Sequence, residues 1–468
     1  MDALEKIIRQ INQITWGPIT IIFVLFVGIW FTFKLNFFQI LKMKTWTKYT
    51  FGTFLGRKKF VKSTDSNLKN SISPFQAMTT ALGGCVGTGN IVGVSAAVLF
   101  GGPGALFWMW FASFFGMMTA FAENVLAIKY RRKSRSKGFY GGPMVYMEDA
   151  LKCKWLAVVF CIACVAVGIF NGGVVQTSSI CTSFKESFGI SSVITAIAIA
   201  IAVSVVIFGG IKRIASVTEK LVPFMSCLYI LCGLTVVFCN LDKLGNAFVS
   251  IFSNAFDFRA VGGSIIGCAA LQTLRYGSAR GLISNEAGLG TSPIIHALSS
   301  NAEPVKQGMW GIFQVFIDTF VICSITGLCI LVTGAENISN QSEMLTNIAF
   351  KSVLGSFGEI MICLLLVLFG FSTILSCAFQ GERCLQHILG DNKTKYIKLY
   401  KVVIILMVAF SFCLTSRTVW EFCDLFSICM MLPNLFTLLF LSKKIVSVYK
   451  SFLKNTTEHE ENRMNKVG

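Results

Sequence analysis

Eleven stretches of this chain are apolar for long enough to cross a lipid bilayer, and that feature limits its architecture more than any other. They run approximately over residues 16–38, 75–100, 105–130, 155–184, 193–211, 221–239, 261–300, 310–332, 360–385, 399–414 and 419–441. A transmembrane helix needs about 20 apolar residues, because backbone polar groups in hydrocarbon must be paired within the segment. Most stretches are too long for the core of a signal peptide, and the first is followed by further spans rather than a cleavage site. Only 14% of the 468 residues are charged, against about 25% in an average soluble domain. A soluble surface is built from charge, so a soluble enzyme, a nucleic-acid binder and a disordered scaffold are excluded. The chain reads as an all-α polytopic membrane protein.

The net charge of +18 is a signal of topology. With the N-terminus outside, 32 of the 41 Lys and Arg lie inside, in 34–73, 129–154, 212–220, 383–401 and 443–468 and at Lys306. Seven lie outside, and Arg275 and Arg280 fall within the long seventh stretch. That asymmetry follows the positive-inside rule and places the C-terminus in the cytoplasm. The basic run at 129–137 is therefore read as a cytoplasmic loop rather than a nucleic-acid patch. The 17 Cys lie almost entirely in spans, and the three His (His296, His387, His459) are scattered. Neither a disulfide framework nor a metal centre is expected, even from Cys161-x-x-Cys164, and the cysteines read as small packing residues.

Two spans are interrupted. The second reads Ala81-Leu-Gly-Gly-Cys-Val-Gly-Thr-Gly-Asn-Ile-Val-Gly93, with four glycines between Gly83 and Gly89. The seventh reads Tyr276-Gly-Ser-Ala-Arg-Gly-Leu-Ile-Ser-Asn-Glu-Ala-Gly-Leu-Gly290 and carries Arg280, Ser284, Asn285 and Glu286 at a depth where charge is costly. Unwound backbone survives at membrane depth only where it is buried in protein or lines a wet cavity. Setting the N-terminal helix aside, the broken spans are first and sixth of ten, so each opens a block of five. Five is odd, so the blocks run in opposite senses, an inverted five-plus-five repeat with a discontinuous first helix in each half. Such breaks bind ions and zwitterions through helix-end dipoles and freed carbonyls. Gly83–Gly87 and Gly89–Gly93 also fit a helix-packing pattern; the matching break five spans later favours transport. The halves are expected at 74–240 and 241–442, flanked by 1–73 (N-terminal helix and basic loop) and a cytoplasmic tail at 443–468. Within that tail, 456–468 reads as solvated and disordered.

Several motifs are recognisable. Gly-Thr-Gly-Asn at 87–90, Gly-Gly-Pro-Gly at 101–104, Gly-Gly-Pro-Met at 141–144 and Ala-Arg-Gly-Leu-Ile-Ser-Asn-Glu-Ala-Gly-Leu-Gly at 279–290 are among them. With Phe-Ile-Asp-Thr at 316–319, Phe-Ser-Thr-Ile-Leu at 371–375, Gly381-Glu382 and Leu-Pro-Asn-Leu at 432–435, they resemble the alanine or glycine:cation symporter family. The resemblance runs from about residue 70 to 445. It implies a leucine-transporter-like fold of the amino acid–polyamine–organocation superfamily, in the bacterial cytoplasmic membrane. It also implies symport of a small neutral amino acid, such as alanine or glycine, with sodium or a proton.

By that resemblance, sodium would be held by the carbonyls of Gly83, Val86 and Phe369 and the hydroxyls of Ser372 and Thr373. The amino acid would lie where the breaks meet, among Gly84, Gly87, Thr88, Leu282, Ile283, Ser284, Asn285 and Thr373. Gln176 would be a further polar liner, or else an interhelical hydrogen bond. Asp318, Glu123 and Glu286 are expected to be structural, pairing with Arg280 or Arg275. Two departures from the family pattern stand out: Gly173 and Ser178 replace two Asn, and Cys377 stands where a Trp is usual. A lost Trp would open volume, so Cys377 is placed in the substrate site, and specificity could extend to serine, threonine or glutamine. A membrane enzyme has no Ser/His or His/Glu constellation to support it, and a channel has no repeated pore motif.

Overall fold

The computed structural model describes residues 8, 10–12, 14–54, 71–134, 138–257, 269–300, 302–390, 393–413 and 416–464. Part of the seventh expected span, 261–268, and the basic positions within 55–70, 135–137 and 465–468 lie outside the described residues.

Each expected span is represented by helix. The first is α1 (Pro18–Lys34), followed by a short basic helix α2 (Met43–Phe54) inside what reads as a plain loop. The first block of five comprises α3 and α4 (Pro74–Cys85 and Val92–Gly101), α5 (Ala105–Lys129), α6 (Lys154–Phe188), α7 (Ser192–Ile207) and α8 (Gly210–Phe238). An amphipathic connector, α9 (Leu241–Ala255), precedes the second block. That block comprises α10 and α11 (Ala269–Asn285 and Ser292–His296), α12 (Pro304–Thr333), α13 (Ser342–Leu389), α14 (Thr394–Ala409) and α15 (Ser416–Phe440). Among the described residues, six unbroken helices are long and apolar enough to cross alone, and the bent α3–α4 pair makes a seventh span.

The sequence pattern missed α2 and α9 because neither has a long apolar run. In α9, Leu241, Phe248, Val249 and Phe252 are exposed, a one-sided apolar face of the kind interfacial helices carry. The terminal α16 (Ser442–Met464) corrects the expected disordered tail: it is helical as far as Met464, and its Tyr449 ring packs against Phe38 and Phe121.

Apolar residues face both inward and outward, as a lipid solvent requires. Ile19, Ile194, Ile201, Leu231 and Phe238 are largely exposed, while Val27, Phe31, Phe121, Phe160 and Phe369 are fully buried. Since lipid is as apolar as Leu, helix association depends on close packing at small residues. Gly104 faces the Ala255 backbone and Gly277 faces Ala105 at distances no side chain could share. In the interior, α5 packs against α10 and α12, and α13 against α3, α6 and α8. Both breaks therefore end among these helices. Among the described residues a two-stranded hairpin (Arg132–Ser134 with Gly138–Tyr140) and a single parallel bridge between Ile72 and Ser299 interrupt the helical pattern.

Candidate functional site

The first break follows from the glycine run. Helix α3 stops at Cys85, Val86 leaves helical geometry (φ −76°, ψ 88°), and Gly87 is extended (φ −131°, ψ −162°). A single 3-10 turn, Thr88–Asn90, leads into α4, which is bent 55° from α3. Freed backbone groups at the break find side-chain partners. The Gly87 N–H donates to Asn90 Oδ1 at 2.9 Å, and the Thr88 N–H and hydroxyl both donate to Gln176 Oε1 at 2.9 Å.

The C-terminal part of α13 meets the freed carbonyls. Thr373 Oγ1 lies 3.0 Å from Gly83 O, 3.4 Å from Val86 O and 3.1 Å from Phe369 O. Ser372 Oγ lies 2.9 Å from Phe369 O. All five residues expected to hold a cation thus sit together, every one fully or nearly fully buried. One hydroxyl proton cannot serve three carbonyls, so the cluster has more acceptors than donors. Several convergent neutral oxygens suit a hard monovalent cation, which exchanges its hydration shell for them.

The second break is built differently. Glu286 (φ 57°), Gly288 (φ 90°) and Gly290 (φ 82°) adopt left-handed conformations between α10 and α11. Only glycine takes such values without strain. Asn434 on α15 clamps the turn, donating to Glu123 Oε1 at 2.5 Å and to Gly288 O at 2.9 Å, while the Gly288 N–H donates to Glu123 Oε2 at 3.2 Å. The Tyr146 hydroxyl donates to Asn434 Oδ1 at 2.5 Å.

Asp318 joins the two breaks. Its Oδ1 accepts from Asn90 Nδ2 at 2.7 Å and its Oδ2 from Ser284 Oγ at 3.1 Å and Thr319 Oγ1 at 3.0 Å. It sits on a π-helical segment of α12, Phe316–Cys323. A second π segment, Gly168–Val175 in α6, carries Asn171 and ends at Gln176. Such bulges re-aim side chains and recur at functional sites; the sequence gives no sign of either.

Between the breaks is a small cavity of about 20 Å³. Six of the expected substrate residues line it: Gly84, Gly87, Gln176, Ile283, Ser284 and Thr373. Four do not. Thr88 is spent on Gln176, and Leu282 is buried in the core. Asn285 donates to Ser113 Oγ and Thr319 Oγ1 and accepts from the Ala287 N–H. Cys377 packs against Gly172, whose side chain, if it had one, would begin 2.5 Å from Cys377 Cβ. The volume expected beside Cys377 is closed by this contact and by Tyr400, whose hydroxyl abuts Gly168 and Gly381. Lining residues not assigned from sequence include Cys85, Asn171, Arg280, Glu286 and Trp420.

The expected carboxylate–arginine pairs are also corrected. Arg280 instead makes a two-pronged pair with Asp424 at 3.1 and 3.2 Å and lies 5.0 Å from the Trp420 ring. Glu123, Glu286 and Asp318 take only neutral donors, since α10 turns Arg280 toward α15. Above Arg280 and Trp420 a vestibule of about 580 Å³ opens, lined by Arg275, Glu343, Glu421 and Asp424 among others. Arg280, Trp420 and Gly93 border both spaces, so they stand between vestibule and cavity.

The sodium:alanine symporter family matches residues 1–466, a longer reach than the motifs alone suggest. The sodium/alanine symporter AgcS of Methanococcus maripaludis is 37% identical, with 97% of this chain and 98% of AgcS covered. A Bacillus subtilis protein named probable sodium/glutamine symporter GlnT is 34% identical, with 97% and 91% covered. Among solved structures, MhsT in complex with L-phenylalanine is similar at a TM-score of 0.59 and 14% identity, covering 80% of this chain and 89% of MhsT. At that identity the likeness is one of fold.

Proposed function

The chain belongs to the sodium:alanine symporter family, and from that premise we propose how its two breaks couple sodium to a small neutral amino acid such as alanine or glycine. Sodium occupies the oxygens of Gly83, Val86, Phe369, Ser372 and Thr373. The amino acid lies between the breaks, where the cavity of about 20 Å³ has room for little more than a water and must widen to admit it, its carboxylate toward the amides of the first break and its side chain toward Ile283. The observation that carries this reading is the position of Thr373, whose hydroxyl touches three carbonyls at once and also lines the cavity.

Coupling then follows from linkage. A cation drawn to Gly83 O and Val86 O fixes the unwound segment that presents amides to the substrate, so each ligand raises the other's affinity by the same factor. The carrier works by alternating access between halves at 74–240 and 241–442, in the bacterial cytoplasmic membrane with the N-terminus outside. It moves its substrate chemically unchanged. The contacts filling the space beside Cys377 favour small substrates over glutamine-sized ones.

The test is alanine uptake by purified protein in proteoliposomes, with and without an inward sodium gradient and with unlabelled amino acids as competitors. Ser372→Ala and Thr373→Ala should each raise the sodium concentration for half-maximal uptake about tenfold or more, with a parallel loss of alanine affinity, since tenfold corresponds to ~1.4 kcal/mol. Normal uptake by both variants at low sodium refutes the ion assignment. A pH gradient replacing the sodium gradient without loss would make the coupling ion a proton.

A further inference from the structure

We infer that Glu286 is the counter-ion of the substrate ammonium, a role that rests on the symport reading and deepens it. Three carboxylates, Glu123, Glu286 and Asp318, are buried at 1%, 4% and 0% exposure. Among the described residues none of the three is in ion-pair distance of a Lys, Arg or His, and Arg280 is committed to Asp424. A buried charge persists only where something compensates it. Glu123 and Asp318 are enclosed: their oxygens take donors from Asn434 and the Gly288 N–H, and from Asn90, Ser284 and Thr319. Neither lines the cavity, whereas Glu286 does.

The local geometry sets Glu286 at the cavity wall, where the Cys85 and Gln380 side chains also face its carboxylate. Its left-handed backbone, φ 57°, is strained for a side-chain-bearing residue. One oxygen, Oε2, accepts from Thr291 Oγ1 at 2.6 Å, which anchors the head group. The other, Oε1, lies 3.7 Å from the point where a side chain on Gly84 would begin, beside the unwound segment. Gly84 and Glu286 line the cavity together, so this oxygen lies beside the ligand's space. The cavity wall thus carries donors, the Arg280 guanidinium and the Gln176 carboxamide, and one carboxylate, Glu286. An α-amino acid has its charges a few ångströms apart and matches that arrangement, and a ligand lacking the ammonium leaves Glu286 uncompensated. Discrimination of this kind is large because the rejected ligand strands a buried polar group.

The experiment compares alanine with lactate, which carries a hydroxyl in place of the ammonium. Each competes against labelled alanine uptake in proteoliposomes, for the unaltered protein and for Glu286→Gln and Glu286→Asp. The unaltered protein should prefer alanine by about 100-fold or more. In Glu286→Gln, alanine affinity should fall at least tenfold while lactate is unchanged, and Glu286→Asp should keep part of the preference. Stabilisation by sodium alone should be intact in both, a readout that a merely structural role would disturb. An alanine-to-lactate ratio unchanged in Glu286→Gln overturns the assignment. So does an equal loss for both ligands. If neither variant folds, infrared difference spectra of the unaltered protein with carboxyl-13C-alanine decide: a shifted protein carboxylate band is expected, and its absence overturns the inference. Failure of the unaltered protein to take up alanine at all would instead defeat the symport reading.

Discussion

The two breaks lie side by side, yet they are held by different chemistry. The first rests on neutral, exchangeable partners: hydroxyls of Ser372 and Thr373 against its carbonyls, and the Asn90 and Gln176 side-chain oxygens against its amides. The second is locked by three left-handed residues and by a clamp of Glu123, Asn434 and Tyr146. Neutral hydrogen bonds have a net worth of about 1 kcal/mol, and bonds to charged groups about 1.5–3 kcal/mol. The first break can therefore change partners when ligands arrive, while the second is formed in advance. On the proposed reading, ligand-dependent coupling belongs to the first and the second supplies a fixed wall against which the first closes, with Asp318 bonded to Asn90 and Ser284.

The largest expected effect comes from the first break. A side chain at Gly87 would overlap Thr373 Oγ1 and begin 2.9 Å from Gln176 Oε1, displacing both partners of the unwound segment. Gly87→Ala should cost about 1–3 kcal/mol of overpacking, and uptake should fall about ten- to hundredfold with the protein still present in the membrane. Gly89, two residues on, meets nothing within 4 Å. Gly89→Ala, which gains helix propensity and meets no neighbour, should lose less uptake than Gly87→Ala, since its methyl only narrows the cavity that Gly89 lines. Equal losses at both positions would show that the segment needs flexibility rather than room at Gly87.

The second break should respond in stability rather than in coupling. Asn434→Ala removes donors to Glu123 and Gly288 O and an acceptor for Tyr146. Leaving those buried groups unpaired costs about 1–3 kcal/mol. Thermal unfolding in detergent should move down accordingly, while the factor by which sodium raises alanine affinity stays unchanged. A variant that unfolds normally but loses that factor would place coupling in the second break instead.

Much of the first break was legible because glycine weakens a helix and a polar side chain is costly at mid-membrane depth, so a cluster of both marks a working segment. The Ser372-Thr373 pair was found through family resemblance, and the geometry brings it onto the expected carbonyls. The partners of charged groups were not legible. Arg280 and Asp424 are 144 positions apart and Glu123 and Asn434 are 311 apart, and no periodicity carries such pairings. Cys377 is a related case: a helix face is readable from spacing, but the neighbour that packs on it is not. Here Gly172 and Tyr400 occupy the space. The amphipathic α9 and basic α2 escaped because they lie where an apolar-run criterion is blind.

The smallest effect lies at the outer end of the second break's support. The short helix Pro143–Asp149 carries Tyr146, and its last residue meets the hairpin: Arg132 Nη2 lies 2.5 Å from Asp149 Oδ1 and 2.7 Å from Glu148 Oε2. These side chains are about a third exposed or less, and such pairs are typically worth about 0–1 kcal/mol. The hydrogen bond from Arg132 holds the Asp149 carboxyl below its ordinary value. A carboxyl lowered on folding contributes stability above its unfolded pKa, and the contribution disappears as pH falls through the lowered value. Between about pH 6 and 8 the pair should therefore be constant. Arg132→Ala should lower the unfolding midpoint slightly at neutral pH, and the difference from the unaltered protein should vanish in strong acid, below the ordinary carboxylate range. Alanine affinity and sodium coupling should be untouched throughout. A change in either would mean that the hairpin bears on the breaks directly, and that the second break is less rigid than its clamp implies.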